Sequence, residues 1–265
     1  SDIMRKAITY HSAHHTSVSI HSLMNQPAPQ QQTSLPLHPL EPSGDLTQSS
    51  DQNAKAESRR YGVRDAAFQA AAQGGGENYF SAFALFLHAS PFHIGILSAL
   101  PQLVGVVAQL LSVKLLQYLR MPAQLLIGGG WAQALCWLPI LSLPLLLPEH
   151  GPWLLIGCAM LYFAFGHATA PVWNSLLVDV VETSSRGAYF AQRARVTALT
   201  SFVALGIAGT VLTLGQKWEL SWIGFLFIFL GAAAARVGAT RCQTRISKLV
   251  PVHHIDAPHG FRHFL

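Results

Sequence analysis

Six long apolar stretches dominate this 265-residue chain and decide what it can fold into. Each stretch is close to the roughly 20 residues that a helix needs to cross the hydrocarbon core of a bilayer. In lipid, every backbone N–H and C=O group must find its partner within its own segment, so such a stretch has to be helical. The stretches cover residues 68–88, 94–119, 123–147, 153–181, 196–214 and 220–240. We therefore predict an all-α, polytopic bundle of six transmembrane helices.

The composition agrees with a membrane protein and argues against a nucleic-acid-binding one. Charged residues make up 11% of the chain, whereas a typical soluble protein has about 25%. The chain is basic, with 17 Lys and Arg residues against 12 Asp and Glu residues. Most of these basic residues stand at the ends of the apolar stretches, where anionic lipid headgroups lie. We expect the lipid bilayer, and no nucleic acid, as a partner.

Both ends of the chain differ in composition from the apolar part. Residues 1–58 are rich in Ser, Gln, Pro and His and have no apolar periodicity, which predicts a disordered cytoplasmic tail. Residues 59–248 form the predicted helical domain, and 249–265 form a polar tail or the start of a linker. His11, His14 and His15 could bind a metal, but a solvated tail is the favoured reading. We expect no metal site and no cofactor.

The placement of Lys and Arg predicts the orientation in the membrane. Short connections make neighbouring helices antiparallel, and Lys and Arg accumulate at cytoplasmic helix ends. Six spans put twelve basic residues on one side, whereas Lys217 alone lies on the other. The twelve are Arg59, Arg60, Arg64, Lys114, Arg120, Arg186, Arg193, Arg195, Arg236, Arg241, Arg245 and Lys248. We predict an integral protein of the inner or plasma membrane with both termini in the cytoplasm.

Polar side chains inside the apolar stretches are the candidates for function, because they are costly at membrane depth. Three consecutive glycines, which weaken a helix, immediately precede Glu77 and Asn78 in the first stretch. One interpretation is a loosened helix beside a polar cavity, in which Glu77 binds substrate or a proton. The alternative is that Glu77 pairs with a neighbouring helix and has only a structural role.

Four further polar residues form two pairs with a spacing of seven, which places each pair on one helix face. Gln102 and Gln109 share a face of the second helix, and His167 and Asn174 share a face of the fourth. Either face could line a cavity. For His167 alone, an interhelical hydrogen bond is the favoured alternative to a ligand-binding role.

The junction between the fourth and fifth helices carries the most specific pattern in the chain. It reads Pro-x-Trp-x-Ser-Leu-x-x-Asp from Pro171 to Asp179, followed by Arg-Gly-x-Tyr-Phe-x-x-Arg from Arg186 to Arg193. Opposite charges at this helix end could form a cytoplasmic gate of Asp179 with Arg186 or Arg193. A basic cluster that serves only as an orientation signal is the alternative.

This junction resembles the major facilitator superfamily of secondary transporters. The runs from Ser90 to Pro101 and from Leu230 to Arg236 are also similar, and the resemblance spans residues 60–248. It implies six helices built as two inverted three-helix repeats, a midplane substrate site and alternating access. It further implies that a second six-helix half completes the cavity, so we expect the sequence to be the amino-terminal half of a transporter.

The leading prediction is a membrane secondary transporter of an unknown small molecule. A non-transporting membrane subunit or an inactive truncation is the first alternative. An intramembrane enzyme is the second, and it needs a catalytic group within the membrane. The chain has no Gly-x-Ser-x-Gly or His-Glu-x-x-His motif. We therefore predict that it has no catalytic residues and is not an enzyme.

Overall fold

The structure is a computed structural model that describes residues 43–116, 122–146 and 150–250. These residues form α-helices, 3-10 turns and short connections without any strand. The α-helices are α1 (Ser43–Gly75), α2 (Phe80–Phe86), α3 (Pro91–Leu116), α4 (Pro122–Leu135), α5 (Trp137–Leu146), α6 (Gly151–Val180), α7 (Arg186–Lys217) and α8 (Ser221–Leu249). The predicted all-α class is confirmed.

Five helical stretches among the described residues are long and apolar enough to cross a membrane. They are Pro91–Leu116, Pro122–Pro144, Gly151–Val180, Thr183–Lys217 and Ser221–Leu249. They correspond to the second to sixth predicted stretches, so the chain has the helices of a membrane protein. The first predicted stretch, 68–88, is instead divided between α1, a 3-10 turn and α2.

The helices extend further than the apolar stretches at several ends. α1 begins at Ser43, inside the segment predicted to be a disordered tail, and Ser58 is fully buried. No proline follows Pro42 until Pro91, so nothing in the sequence breaks the helix early. His11, His14 and His15, which were weighed as metal ligands against the favoured solvated tail, lie outside the described residues, as does the predicted polar end from residue 251.

The glycine run ends α1 and starts a sharp change of direction. Gly76 has φ −125° and ψ −69°, which is not a helical conformation, and a 3-10 turn at Glu77–Tyr79 follows before α2 begins. Glycine is needed here because other helices approach closely. A Cβ on Gly76 would lie 2.7 Å from the Trp137 ring, and one on Gly74 would lie 2.9 Å from the Cα of Ser201. The predicted loosening of this helix is therefore present.

A second break separates α4 from α5 at Cys136. Pro139 has no N–H to donate to the carbonyl of Leu135, the last residue of α4. The helix restarts at Trp137 and places Pro139 in the first turn of α5, where proline is tolerated. Pro101 and Pro171, by contrast, lie inside the continuous helices α3 and α6.

Helix packing produces two apolar clusters. α1 packs against α7 and α8, α6 packs against α3 and α4, and α4 also contacts α8. An aromatic cluster includes Phe80, Phe83, Trp137, Tyr162 and Phe229, with neighbouring ring centroids 4.9 to 6.1 Å apart. An aliphatic cluster contains Leu126, Val172, Leu176, Leu177 and Ile246. The outward faces remain apolar, since Leu110 of α3 is 65% exposed and Phe202 of α7 is 76% exposed.

Two adjacent glycines test the close packing of α1 on α7. Gly74→Ala should lower the stability of the protein by about 1–3 kcal/mol, because the new methyl group meets the backbone of Ser201 and forces the helices apart. Gly75→Ala should leave stability unchanged or raise it by up to about 1 kcal/mol, because its methyl group would make only an ordinary contact with Ala204. Thermal unfolding of detergent-solubilised protein measures both. Equal effects of the two substitutions would contradict the packing described.

Candidate functional site

A cavity of about 770 Å³ lies between α1, α3, α4, α6, α7 and α8. Along three of these helices its lining residues separate the two apolar clusters. In α6, Tyr162 belongs to the aromatic cluster, Phe163 to Trp173 line the cavity, and Leu176 belongs to the aliphatic cluster. In α8 the chain likewise passes from the aromatic cluster, through the cavity wall at Arg236, to the aliphatic cluster. Along α4 and α5 it passes from the aliphatic cluster, through the cavity wall at Gln133, to the aromatic cluster. The cavity therefore lies in the interior of the bundle, with apolar packing on both sides of it.

Four polar residues with a spacing of four form a polar stripe along this region, three in α1 and one in the turn that follows it. Asp65, Gln69 and Gln73 share one face of α1 because an α-helix repeats every 3.6 residues, and Glu77 follows the break at Gly76. Gln69, Gln73 and Glu77 line the cavity directly, and the carboxylate of Asp65 contacts residues that do. At 1.5 Å per residue the three residues of α1 extend over about 12 Å along the helix. α1 and the turn after it thus supply one polar wall.

The carboxylate of Asp65 is the centre of a buried polar network. Its side chain is fully buried, and Arg193 of α7 donates a hydrogen bond to its Oδ2 over 3.1 Å. Gln243 of α8 donates to its Oδ1 over 3.0 Å, and Gln69 lies 3.4 Å from both carboxylate oxygens. The Arg193 guanidinium also stacks over the ring of Trp173, 5.5 Å from its centroid. One carboxylate therefore connects α1, α7 and α8, and through Arg193 also α6.

Glu77 lies at the other end of the polar stripe, just after the break in α1. The hydroxyl of Tyr162 in α6 donates a hydrogen bond of 2.6 Å to its Oε1. The described residues include no basic side chain within ion-pair distance of Glu77. The glycine break positions this carboxylate beside the cavity, as predicted, and connects it to a neighbouring helix, as the structural alternative predicted.

Arg236 of α8 is a buried cation at the cavity wall. Only 3% of its surface is exposed, and its Nη1 donates a hydrogen bond to the side-chain oxygen of Gln69. Its Nε has no hydrogen-bond partner among the described residues. The sequence had placed Arg236 among the basic residues at cytoplasmic helix ends. The structure corrects this, because α8 continues to Leu249 and Arg236 lies in its interior.

The predicted pathway residues divide into two groups. Glu77, Gln102 and His167 line the cavity, and Gln109 lies beside it with its Oε1 3.5 Å from His167 Nδ1. Asn78 and Asn174 are exposed and do not line the cavity. His167 and Asn174 therefore do not both line the cavity, because seven residues advance about 10 Å along α6 and Asn174 is exposed outside it.

The predicted gate of Asp179 with Arg186 or Arg193 does not form in this structure. Arg186 donates hydrogen bonds to the carbonyl oxygens of Val181 and Val178, which caps the end of α6. Asp179 is exposed and makes no ion pair among the described residues. Arg193 lies inside α7, where it faces α1 and pairs with Asp65. The acid that pairs with Arg193 therefore comes from the first helix rather than from the fourth.

Several residues of the site were missed from the sequence. They are Asp65, Gln69, Gln73, Tyr162, Arg236 and Gln243. The four-residue spacing that begins in α1 was a detectable signal, although Asp65 precedes the first apolar stretch and Gln69 is only the second residue of that stretch. Arg236 was also detectable, because it lies four residues inside the end of the predicted sixth stretch. Tyr162 gave no signal, since tyrosine is ordinary in an apolar helix.

Comparison with known proteins adds no identity to these observations. No protein-family model matches the chain, and neither a curated protein nor a solved structure matches it. Among the described residues there is also no group of three His, Cys, Asp or Glu side chains that could hold a metal ion. Function is therefore inferred from the cavity and its charges.

Two aspartates distinguish the observed ion pair from the predicted one. Asp65→Asn should destabilise the protein by about 3 kcal/mol, because it leaves the largely buried Arg193 guanidinium without a counter-charge. Asp179→Asn should change stability by no more than about 0.5 kcal/mol, because that side chain is exposed and unpaired. Thermal unfolding measures both variants. Adding Arg193→Gln to Asp65→Asn should restore part of the loss, and similar effects of the two single variants would contradict the assignment.

Proposed function

We propose that the described helices form one six-helix half of a secondary transporter, similar in architecture to the major facilitator superfamily, and that its substrate binds in the cavity. One observation carries the proposal: a 770 Å³ cavity with charged walls lies inside a bundle of apolar, membrane-length helices. Ionisable groups at membrane depth are costly and persist where they bind ions or substrates. A purely structural bundle has no need of such a cavity.

The pattern of helix contacts supports two three-helix repeats. In the order of the six predicted stretches, the first packs against the fifth and sixth, and the fourth packs against the second and third. The third also packs against the sixth. Exchanging the first three stretches with the last three leaves these five contacts unchanged, whereas the packing of α7 on α8 has no comparable counterpart between the second and third stretches among the described residues. Such a correspondence is expected of inverted repeats around a central binding site.

The cavity is open on one side, and this openness supports the proposal that a second six-helix half is present. Gln73 of α1, Gln102 of α3 and Ala198 of α7 line the cavity and are exposed. Glutamine side chains facing lipid would be costly, because hydrocarbon offers them no hydrogen-bond partner. We place the second six-helix half against this side, where it would supply the remaining wall. Both faces of the cavity would then be protein.

Alternating access requires contacts that can form and break at each end of the site. The Asp65–Arg193 pair joins α1 to α7 on the side of the bundle that carries most basic residues, so it is our proposed cytoplasmic gate. Glu77 lies deeper, hydrogen-bonded to Tyr162 of α6 and next to the break in α1. There it can bind and release a proton as the cavity opens to either side. Substrate movement would then be coupled to proton movement.

Vesicle transport tests the proposal. The chain together with the six-helix half that completes its cavity, reconstituted in sealed vesicles containing a pH-sensitive dye, should move protons when one solute from a panel of small organic acids, amines and sugars is added. Glu77→Gln should abolish this solute-driven proton movement, because glutamine can still accept the Tyr162 hydrogen bond but cannot carry the proton.

Three outcomes of this experiment are informative. Unchanged proton movement in Glu77→Gln would exclude Glu77 as the coupling group. The absence of solute movement with every member of the panel would contradict transport. Failure of Glu77→Gln to insert into membranes, with normal insertion of Asn78→Gln as the matched control, would assign Glu77 a structural role instead.

A further inference from the structure

Arg236 is a buried cation of the cavity wall that forms no ion pair among the described residues. Asp65 and Glu77 attract it only from beyond ion-pair distance. The ion pair described there, Arg193 with Asp65, neutralises the other guanidinium. Arg236 donates one hydrogen bond to the neutral side chain of Gln69, and its Nε has no partner. An ion that is removed from water and left unpaired is strongly unfavourable. Binding of a negatively charged molecule next to Arg236 would remove that cost.

The two nearby carboxylates do not fill this role. Asp65 already accepts hydrogen bonds from Arg193 and Gln243, and Glu77 accepts one from Tyr162. Neither carboxylate lies within ion-pair distance of Arg236. The wall is therefore built with a guanidinium held in place by an amide rather than by an acid. Guanidinium groups bind carboxylates with two parallel hydrogen bonds, which makes an organic acid a suitable partner.

Unpartnered polar atoms concentrate around the same cavity. Five of its lining residues have a buried side-chain atom without a hydrogen-bond partner among the described residues. These atoms are Nε of Arg193, Nε of Arg236, Nε1 of Trp173, Oε1 of Gln133 and Oε1 of Gln243. Buried polar groups are nearly always paired, so these atoms need partners that a ligand or ordered water at the cavity would supply. Three atoms are donors, which suit an anion, and two are acceptors, which suit a hydroxyl or amino group.

We infer that the cavity binds a monovalent organic carboxylate, with Arg236 as its counter-ion. The inference rests on the proposed function, since it names the substrate class of the proposed transporter. The charge count favours a monoanion. With His167 neutral and Glu77 protonated, Asp65 and Arg193 cancel and Arg236 leaves a net charge of +1, which one carboxylate neutralises. A dianion would leave a negative charge in the cavity.

The same charge count couples binding of the anion to protonation of Glu77. When Glu77 is ionised, its charge and those of Asp65, Arg193 and Arg236 sum to zero, and a bound carboxylate adds an uncompensated negative charge. When Glu77 is protonated, the carboxylate brings the sum to zero. One proton and one monoanion therefore bind together. Their joint movement is the transport of an organic acid with a proton.

The volume and the lining residues of the cavity limit the size and polarity of the part of the ligand beyond its carboxylate. A volume of about 770 Å³ is within the usual range for small-molecule sites. Phe163, Trp173 and Phe190 provide aromatic surface, whereas the acceptors of Gln133 and Gln243 suit a ligand donor. A hydroxy or amino acid with an apolar side chain satisfies both. We choose 3-phenyllactate as the principal probe, with lactate and benzoate as smaller members of the class.

The test compares each acid with its neutral amide at one pH, using full-length protein in detergent. Binding is followed by the shift in unfolding temperature and by quenching of tryptophan fluorescence, to which Trp173 should contribute. At least one acid should bind at least about tenfold more tightly than its amide, which corresponds to a charge-assisted hydrogen bond or more. If no acid is preferred over its amide, the inference is wrong, whatever the variants do.

Three substitutions locate the effect. Arg236→Gln should weaken binding of the preferred acid at least about tenfold and should leave the amide unaffected. Glu77→Gln should bind the acid as tightly as the unaltered protein or more tightly, because a repelling charge is removed. Arg195→Gln, which removes an exposed basic residue of α7 that does not line the cavity, should change nothing. An equal loss with Arg195→Gln and Arg236→Gln would indicate a general charge effect and overturn the inference.

Failure of this inference can be distinguished from failure of the proposed function. If amines or sugars cross vesicle membranes through the protein but no acid binds preferentially, the transporter stands and the anion site is wrong. If an acid binds and depends on Arg236 but no solute crosses, the anion site stands and transport is wrong.

Discussion

The need to neutralise charge in an apolar bundle governs this structure. Asp65 is fully buried among helices whose outer faces are leucine, valine and phenylalanine, and it is tolerated because Arg193, Gln243 and Gln69 contact it. The pair holds α1 against α7, and the amide of Gln243 adds α8. Removing one partner would leave a desolvated charge, which is far more costly than never having built the pair. The arrangement of three helices thus depends on one carboxylate.

The interruptions in the helices determine where the charged side chains lie. The glycine run allows α1 to approach Ser201 and Trp137 closely and then turns the chain, so that Glu77 reaches Tyr162. Pro139 divides α4 from α5 and brings Trp137 into the aromatic cluster beside that contact. The two apolar clusters pack on either side of the cavity. The cavity is therefore a consequence of where the helices are broken as much as of which side chains line it.

Much of the helical architecture could be predicted from the sequence, whereas the pairing of polar groups could not. Apolar length determines where membrane helices form, so five of six stretches were found. Three have ends within a few residues, whereas α7 begins ten residues before its predicted stretch and α8 ends nine residues after its own, because the apolar pattern stops before the helix does. Glu77 was found because a carboxylate after three glycines is unusual. The partner of Arg193 was wrong, because Asp179 is close in sequence and Asp65 is 128 residues away. Only packing brings such distant residues together, and no single sequence pattern reports it.

Water access to the cavity wall tests the central claim most directly. In protein whose Cys136, Cys158 and Cys242 are replaced by serine or alanine, Thr197→Cys would place a thiol on the cavity wall. Leu199→Cys would place one on the apolar outer face of the same helix, where Leu199 is 67% exposed. In membranes, a charged methanethiosulfonate reagent should modify residue 197 and leave residue 199 unmodified, since thiols in lipid do not ionise. Equal modification of the two positions would contradict a polar cavity inside a lipid-embedded bundle.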